Sequence, residues 1–215
     1  MAKTGFNYVL LFLVFSLIFF ISGGLLNYIF AGVFFLLMCF CFYFFRDPKR
    51  IIIVDENIIL SPADGTVFEI SDVDEPLVIK GRAKIVKIFL SVFNVHLQRS
   101  PISGKISYIN KEGTKYLPAN HPDACVKNVQ NLIGIKNGQM SILVKQIAGI
   151  IAQRCDLWVK LNQDVVQGEK IGIIHFGSQV DIYFPEKIKL NVAIGDKVTA
   201  GITVIAEWKR IEHRG

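Results

Sequence analysis

Three residues able to do nucleophilic and proton-transfer chemistry stand in three separate stretches. Ser178 lies in His175-Phe-Gly-Ser-Gln-Val-Asp-Ile-Tyr-Phe-Pro185, His96 in Phe89-Leu-Ser-Val-Phe-Asn-Val-His-Leu-Gln-Arg-Ser-Pro101, and Asp64 in Ser61-Pro-Ala-Asp-Gly65. A serine hydroxyl is a weak nucleophile until a base stands beside it, and spacing alone does not show that these three meet. Each also has an ordinary structural use. A Gly-Ser pair between the apolar runs IGII and VDIYF marks a bulge or a close backbone approach. An aspartate between Pro62 and Gly65 bonds its own turn. His96 stands apart from the other histidines, because Asn94, Gln98 and Arg99 crowd polar groups around it at the end of a strong apolar strand. His175 alternates with Ile173 and reads as a core or surface residue, His121 in PANHPD as a turn residue, and His213 as part of a polar tail.

The elements that must position these residues are strands. From Ile51 onward the chain runs in short Val- and Ile-rich segments broken by Gly, Pro, Asn and Asp: IIIVDENIIL, GTVFEI, PLVIKG, AKIVKIFLSV, GKISYI, MSILVKQIAGIIAQ, LWVKL, KIGIIHF, VDIYF, KLNVAIG and GITVIAEW. This spacing predicts a mostly β domain, with one helix allowed around Asp123 to Leu132. Two internal echoes sharpen the expectation. Ser61-Pro-Ala-Asp-Gly-Thr-Val67 returns 39 residues later as Ser100-Pro-Ile-Ser-Gly-Lys-Ile106, and Val165-Val-Gln-Gly168 returns 33 residues later as Val198-Thr-Ala-Gly201. Both resemble the hammerhead turns of biotinyl and lipoyl domains, which implies a barrel-sandwich core. A carrier of that kind needs a lysine at a hairpin tip, whereas Lys197 lies inside a turn. The first echo also has serine at 103 where Asp64 stands, so a turn alone does not require the acid.

The N-terminal region has a different character. Of the 215 residues 52% are hydrophobic, and the excess is concentrated between Phe6 and Phe45, which contain no Asp, Glu, Lys or Arg. A bilayer core about 30 Å thick needs roughly 20 helical residues, so the run accommodates two passes, 7–22 and 25–45, hinged at Ser22-Gly-Gly24. It is longer than the apolar stretch of a cleaved signal peptide. Lys3 precedes the hairpin and Arg46, Lys49 and Arg50 follow it; basic flanks stay cytoplasmic, which places the remainder on the cytoplasmic face of the cell (inner) membrane. Of the net charge of +6, residues 1–50 hold +3 (four bases against Asp47), leaving +3 for the rest. That mild excess, with no basic run interleaved with aromatics, points to anionic lipid headgroups and away from nucleic acid. Cys39, Cys41, Cys125 and Cys155 form no CxxC pair, so neither zinc nor an oxidising compartment is implied.

Together SPADG at 61–65, SVFNVHLQRSPISG at 91–104, QIAGIIAQR at 146–154 and FGSQVDIYFP at 176–185 closely resemble the phosphatidylserine decarboxylase proenzymes, especially the short bacterial form with a membrane hairpin. The resemblance runs from Arg46 to Trp208. It implies a hairpin over 1–46 and a catalytic domain over 47–215, self-cleaved at Gly177–Ser178 into a β chain of 1–177 and an α chain of 178–215. In such a reaction Ser178 Oγ attacks the carbonyl of Gly177, where a missing Cβ eases approach and strained backbone is tolerated. The resulting ester eliminates to dehydroalanine, which becomes a pyruvoyl group with loss of ammonia.

By the same resemblance, that group forms a Schiff base with phosphatidylserine, takes up the electrons released with carbon dioxide, and yields phosphatidylethanolamine without metal or diffusible cofactor. The family's catalytic aspartate maps onto Asp64 and its substrate-proximal histidine onto His96. Longer members have a second histidine where this chain has Arg99, which leaves the base for self-cleavage open. Arg99 suits the phosphate or carboxylate of the lipid, its planar fork matching either. The implied partners are phosphatidylserine, anionic membrane lipids and the protein's own two chains; a homodimer is compatible with the sequence. The competing readings are a membrane-anchored barrel-sandwich adaptor without catalysis, and a pyruvoyl enzyme acting on another amine.

Overall fold

Uninterrupted apolar sequence folds into two helices, α1 (Phe6–Ser22) and α2 (Leu25–Phe44), preceded by a 3-10 turn at Lys3–Gly5. The reversal between them is made by Gly23 and Gly24, whose φ of 65° and 88° excludes most side chains. Phe34 packs its ring 5.3 Å from Phe15 and 5.5 Å from Phe19, Ser16 Oγ donates to the Ala31 carbonyl at 3.0 Å, and the Ala2 amide donates to the Phe45 carbonyl at 2.8 Å. The ends of the hairpin therefore lie together. Lys3–Ser22 and Leu25–Phe44 are 20 residues each and apolar enough to cross a membrane, about 30 Å of helix apiece. Outward-facing Ile21, Leu25 and Leu36 are exposed.

This computed structural model describes residues 1–117, 127–138, 140–149, 154–175 and 178–208. The chain divides into two units, Met1–Lys49 and Arg50–Gly215. The second unit is built of strands: β1 (Ile58–Leu60), β2 (Gly65–Glu75), β3 (Gly81–Leu90), β4 (Leu97–Arg99), β5 (Gly104–Glu112), β6 (Gln130–Lys136), β7 (Ser141–Ala148), β8 (Cys155–Leu157), β9 (Asp164–Val165), β10 (Lys170–Ile174), β11 (Ser178–Pro185), β12 (Lys189–Leu190), β13 (Lys197–Val198) and β14 (Val204–Glu207). Eight form a curled half-barrel in the order β13-β2-β3-β11-β7-β6-β5-β9, and two three-stranded sheets, β1-β14-β12 and β4-β10-β8, complete the fold. Val86, Ile88, Val180 and Ile182 of the large sheet share one core with Ile59 and Ile205 of one small sheet and Ile171 and Ile174 of the other. The mostly β expectation with two N-terminal apolar helices is met.

The sequence echoes are a structural repeat. Val198 pairs with Gly65 and Lys197 with Thr66, while Val165 pairs with Gly104 and Asp164 with Lys105. The Gly201 amide donates to Ser61 and the Gly168 amide to Ser100, at 2.8 and 2.7 Å. The two halves also interlock, with Leu60 N donating to the Pro101 carbonyl and Arg99 N to the Pro62 carbonyl. Gly168 and Gly201 have φ of 80° and 71°. A Cβ on Gly168 would come within 2.3 Å of Ile52, so the turn takes glycine for both conformation and space.

Three segments differ from the expectation. Gln130–Leu132, the end of the allowed helix, belongs to β6, because pairing to β5 on one side and β7 on the other satisfies its backbone; 123–126 lie outside the described residues. Pro76–Lys80 is not a strand but a turn, since the Glu75 carboxylate accepts from the amides of Leu77, Val78 and Ile79 at 2.9, 2.8 and 2.6 Å. Ile51–Val54 lies outside strands as well, with Ile52 lodged against the two hammerhead glycines.

Strand β11 is buried on both faces. Val180, Ile182 and Phe184 enter the main core, and by strand alternation Ser178 shares their side. On the opposite face Asp181 is fully buried, directly between Lys87 of β3 and Lys145 of β7. Its Oδ1 accepts from Gln179 Nε2 at 2.6 Å, and its Oδ2 has no partner among the described residues. Burial pushes this carboxyl up to about 6 from an ordinary 3.8, with the Gln179 hydrogen bond and the two lysine charges pulling the other way. A carboxyl raised in the fold makes its contribution most favourable below the unfolded value and loses it as pH climbs from 3.8 to about 6. Asp181→Asn should therefore stabilise the protein by up to about 3 kcal/mol at pH 8 and change little at pH 4. Urea unfolding at both pH values checks this; an equal effect at the two would contradict it.

Candidate functional site

Ser178 opens β11, paired with Leu90, the last residue of β3, and with Ala148, the last residue of β7. Two apolar strands clamp it from both sides. Its side chain is completely buried, and Oγ has no hydrogen-bond partner among the described residues. A buried hydroxyl without a partner costs about 1–3 kcal/mol, a cost to be expected where the group has a chemical role. Gly177 lies outside the described residues, as do His121 and His213.

His96 is brought to the same end of the molecule by a closed turn after β3. The amide and hydroxyl of Ser91 both donate to Asn94 Oδ1 at 2.9 Å, and the Asn94 amide donates back to the Ser91 carbonyl at 2.9 Å. The chain then enters β4 with His96 fully buried. His96 Nδ1 is 3.1 Å from the Asn94 carbonyl, a contact in which Nδ1 donates. Its own carbonyl accepts from the Ile174 amide at 3.1 Å and from Gln98 Nε2 at 2.7 Å.

Beneath it runs a buried amide chain that the sequence did not suggest. Gln146 Nε2 donates to Gln98 Oε1 at 2.7 Å, and Asn131 Nδ2 donates to Gln146 Oε1 at 2.9 Å and to the Cys155 carbonyl at 3.1 Å. The large sheet is thereby bolted to β4, the strand that directly follows His96. Gly172 leaves room for this bolt, since a Cβ there would stand 2.5 Å from Gln146 Nε2. A polar residue at a core-facing position of a strand, as at Gln146 and Asn131, is the signal that could have revealed it. The Cys155 thiol is pushed up to about 12 by burial, the neighbouring Asp156 adding to the effect, and so is no nucleophile.

Asp64 stands just before β2, at the same end of the sheet as Leu90 and Ser178. With β3 between β2 and β11, two inter-strand spacings, about 10 Å, separate the strands. Its carboxylate receives both guanidinium nitrogens of Arg50, Nη1 to Oδ1 and Nη2 to Oδ2, each at 2.8 Å, and the Ala200 amide at 2.8 Å. In the other half of the repeat, Ser103 Oγ accepts from the Gln167 amide at 2.9 Å. The hydroxyl does there what Asp64 Oδ1 does here, so the second oxygen and the charge exceed what the turn requires. Arg99 is buried, and its Nη1 donates to the Gly168 carbonyl at 2.8 Å.

One further pair was missed. His175, 1% exposed, follows β10, with Nε2 3.2 Å from Asp156 Oδ2. Asp156 also accepts from Arg154 Nε. The two are 19 residues apart, Asp156 within β8 and His175 just past β10, and the pairing of β8 with β10 brings them together. No group of three or more His, Cys, Asp or Glu able to hold a metal occurs among the described residues.

Residues 37–206 match the family described as phosphatidylserine decarboxylase. A protein of Carboxydothermus hydrogenoformans named phosphatidylserine decarboxylase proenzyme is 40% identical over 210 residues, 97% of this chain and 97% of that protein. Proteins of the same name from Desulfotalea psychrophila and Paraburkholderia phytofirmans are 38% identical over 81% of this chain and 82% of theirs, and 36% identical over 96% of each.

Proposed function

Because the chain belongs to the phosphatidylserine decarboxylase family and is a carboxy-lyase, we propose that it converts phosphatidylserine to phosphatidylethanolamine with a pyruvoyl group made from its own Ser178. Cutting Gly177–Ser178 would give chains of 1–177 and 178–215, consistent with the name proenzyme borne by its relatives.

The observation that carries this reading is the Ser178 hydroxyl, sealed from water without a partner at the first position of a clamped strand. Strands paired on either side hold the residue that bears the oxygen in place. Leu90 and Ala148 beside it keep the position apolar, a fit for a group whose carbonyl supplies an acceptor for the electron pair left as carbon dioxide departs. His96, its Nδ1 held by the Asn94 carbonyl, carries protons to and from the substrate in this scheme. Asp64 is assigned acid–base work, its carboxylate aimed by the Arg50 fork. For Arg99, support of the strand that follows His96 is favoured over a lipid contact, because Nη1 is already given to Gly168. The helical hairpin anchors the enzyme at the cytoplasmic face of the membrane that holds its substrate.

The test is the covalent state of active protein. Intact mass should show two pieces split before residue 178, the smaller blocked to Edman sequencing and labelled by a hydrazide, and the preparation should release carbon dioxide from phosphatidylserine vesicles. An active, unsplit chain of 24.2 kDa would remove the pyruvoyl route. A split chain that ignores phosphatidylserine would remove the substrate.

A further inference from the structure

The residues that open the catalytic unit cross both hammerhead turns. Arg50 Nη1 donates to the Ala200 carbonyl at 2.5 Å, Ile52 lies against Gly201 and Gly168, and the Asp55 amide donates to Gln167 Oε1 at 2.8 Å. Residues 50–55 therefore run from the turn at 198–201 to the turn at 165–168. On this path Ile52 turns inward and its neighbours turn outward: Ile51 is 91% exposed, Ile53 75% and Val54 55%. Val166 in one turn and Ile202 at the end of the other are exposed as well.

We propose that this strip of five aliphatic side chains is a docking face for the membrane surface, seated at the boundary between lipid headgroups and acyl chains. The inference rests on the proposed anchoring by the hairpin and adds a second contact with the same bilayer.

The composition of the strip is the first support. Single exposed aliphatic residues are ordinary on a soluble domain, whereas a continuous apolar patch marks an interaction surface. Lys49 precedes this strip and Asp55 and Glu56 end it. The one cation within it, Arg50, is turned onto the Asp64 carboxylate, so the outward side chains at 51, 53 and 54 carry no charge.

Chain length and area select the occupant. Only six residues lead from Phe45, which caps α2, to Ile51, about 20 Å at full extension. With α2 in the bilayer, the strip is held close to the lipid surface by its own backbone. A second copy of the chain is the competing occupant, but five side chains fall well short of the 20–30 residues a side, about 800 Å² per partner, of a standard protein interface. A tethered domain needs no such area, because its second contact forms within one molecule. Docking also has a use at the site. Arg50, which starts the strip, is the residue that forks Asp64, so the same face would bring the Asp64 end of the site to the lipid.

The experiment reads tryptophan fluorescence in the full chain, made by cell-free synthesis into nanodiscs of phosphatidylcholine and phosphatidylserine, with and without phosphatidylcholine brominated at the upper end of its acyl chains. Signal from the native Trp158 and Trp208 is subtracted using the wild-type chain. Ile53→Trp and Ile202→Trp should emit at shorter wavelength than an exposed indole and be quenched by the brominated lipid, an interfacial apolar face being buried about 5–10 Å. Leu161→Trp and Ile194→Trp are the controls, exposed aliphatic positions outside the strip. The amides that follow them bond the carbonyls of Ile106 and Val67, about 10 Å along the strands from the two turns, and their indoles should remain unquenched.

Unquenched indoles at 53 and 202, in a chain that stays with the discs, overturn the proposal. A shift to shorter wavelength that grows with protein concentration and ignores bromine would give the strip to a second copy, and equal quenching at all four positions would show that no particular face docks; either result overturns it too. Fluorescence requires no turnover. A chain that docks as described but never splits or decarboxylates therefore removes the proposed function and leaves this inference standing, whereas a chain that leaves the discs removes the anchor and the docking face together.

Discussion

Ser178→Ala should leave a single uncleaved chain of 24.2 kDa with no measurable decarboxylation, a loss on the order of 10⁶-fold, as when a nucleophile is removed from a concerted site. The structure gives reason to expect this without unfolding. The residue pairs through its backbone with Leu90 and Ala148, and alanine preserves those bonds. Its hydroxyl has no partner among the described residues, so deletion leaves nothing unsatisfied and removes a desolvation cost of about 1–3 kcal/mol. The variant should melt at or above the temperature of an uncleaved wild-type chain. Intact mass, melting and lipid assay together decide: cleavage or normal turnover in the variant would exclude Ser178 from the chemistry, and collapse of the fold would show that the hydroxyl is structural.

The second large effect concerns Asp64, where the repeat supplies its own control. Asp64→Ser installs the residue that the equivalent turn uses at Ser103, and a hydroxyl can accept from the Ala200 amide as Ser103 accepts from Gln167. What disappears is the carboxylate facing Arg50, whose side chain is only 8% exposed. A cation stranded in that position costs about 3 kcal/mol, a fall in Tm of roughly 10 °C for a chain of this size. Adding Arg50→Met should return most of that stability. If Asp64 acts on protons, both the single and the double variant lose about 10²- to 10⁴-fold in activity, although the double variant is stable. Recovery of activity along with stability in the double variant would leave Asp64 with the turn alone.

Much of this molecule was legible in its residues. Forty charge-free positions predict two helices, and Gly23 and Gly24 the hinge between them. The echoes at 61–67 and 100–106, and at 165–168 and 198–201, were a true repeat, visible because a hammerhead turn requires Ser-Pro and a positive-φ glycine at set places. Local requirements of that kind leave local marks. Where an apolar run could serve as strand, helix or turn, the sequence was ambiguous. Gln130–Leu132 became a strand because β5 and β7 were there to pair with it, and Pro76–Lys80 became a turn because one glutamate satisfied three amides.

The site divides along the same line. Sequence by itself determined the chemistry available, namely a Gly-Ser bond between apolar strands, an isolated histidine in a polar cluster, and an acid in a turn whose twin lacks one. Only the tertiary structure decided which atoms are sealed from water and which partners they receive. The Arg50 fork on Asp64, the amide bolt from Asn131 through Gln146 to Gln98, and the Asp156 carboxylate behind His175 all join residues distant in the chain. Hydrogen bonds and burial depend on distance in space, and in an antiparallel fold of non-local strands that distance is set by pairing and register, which no single segment encodes.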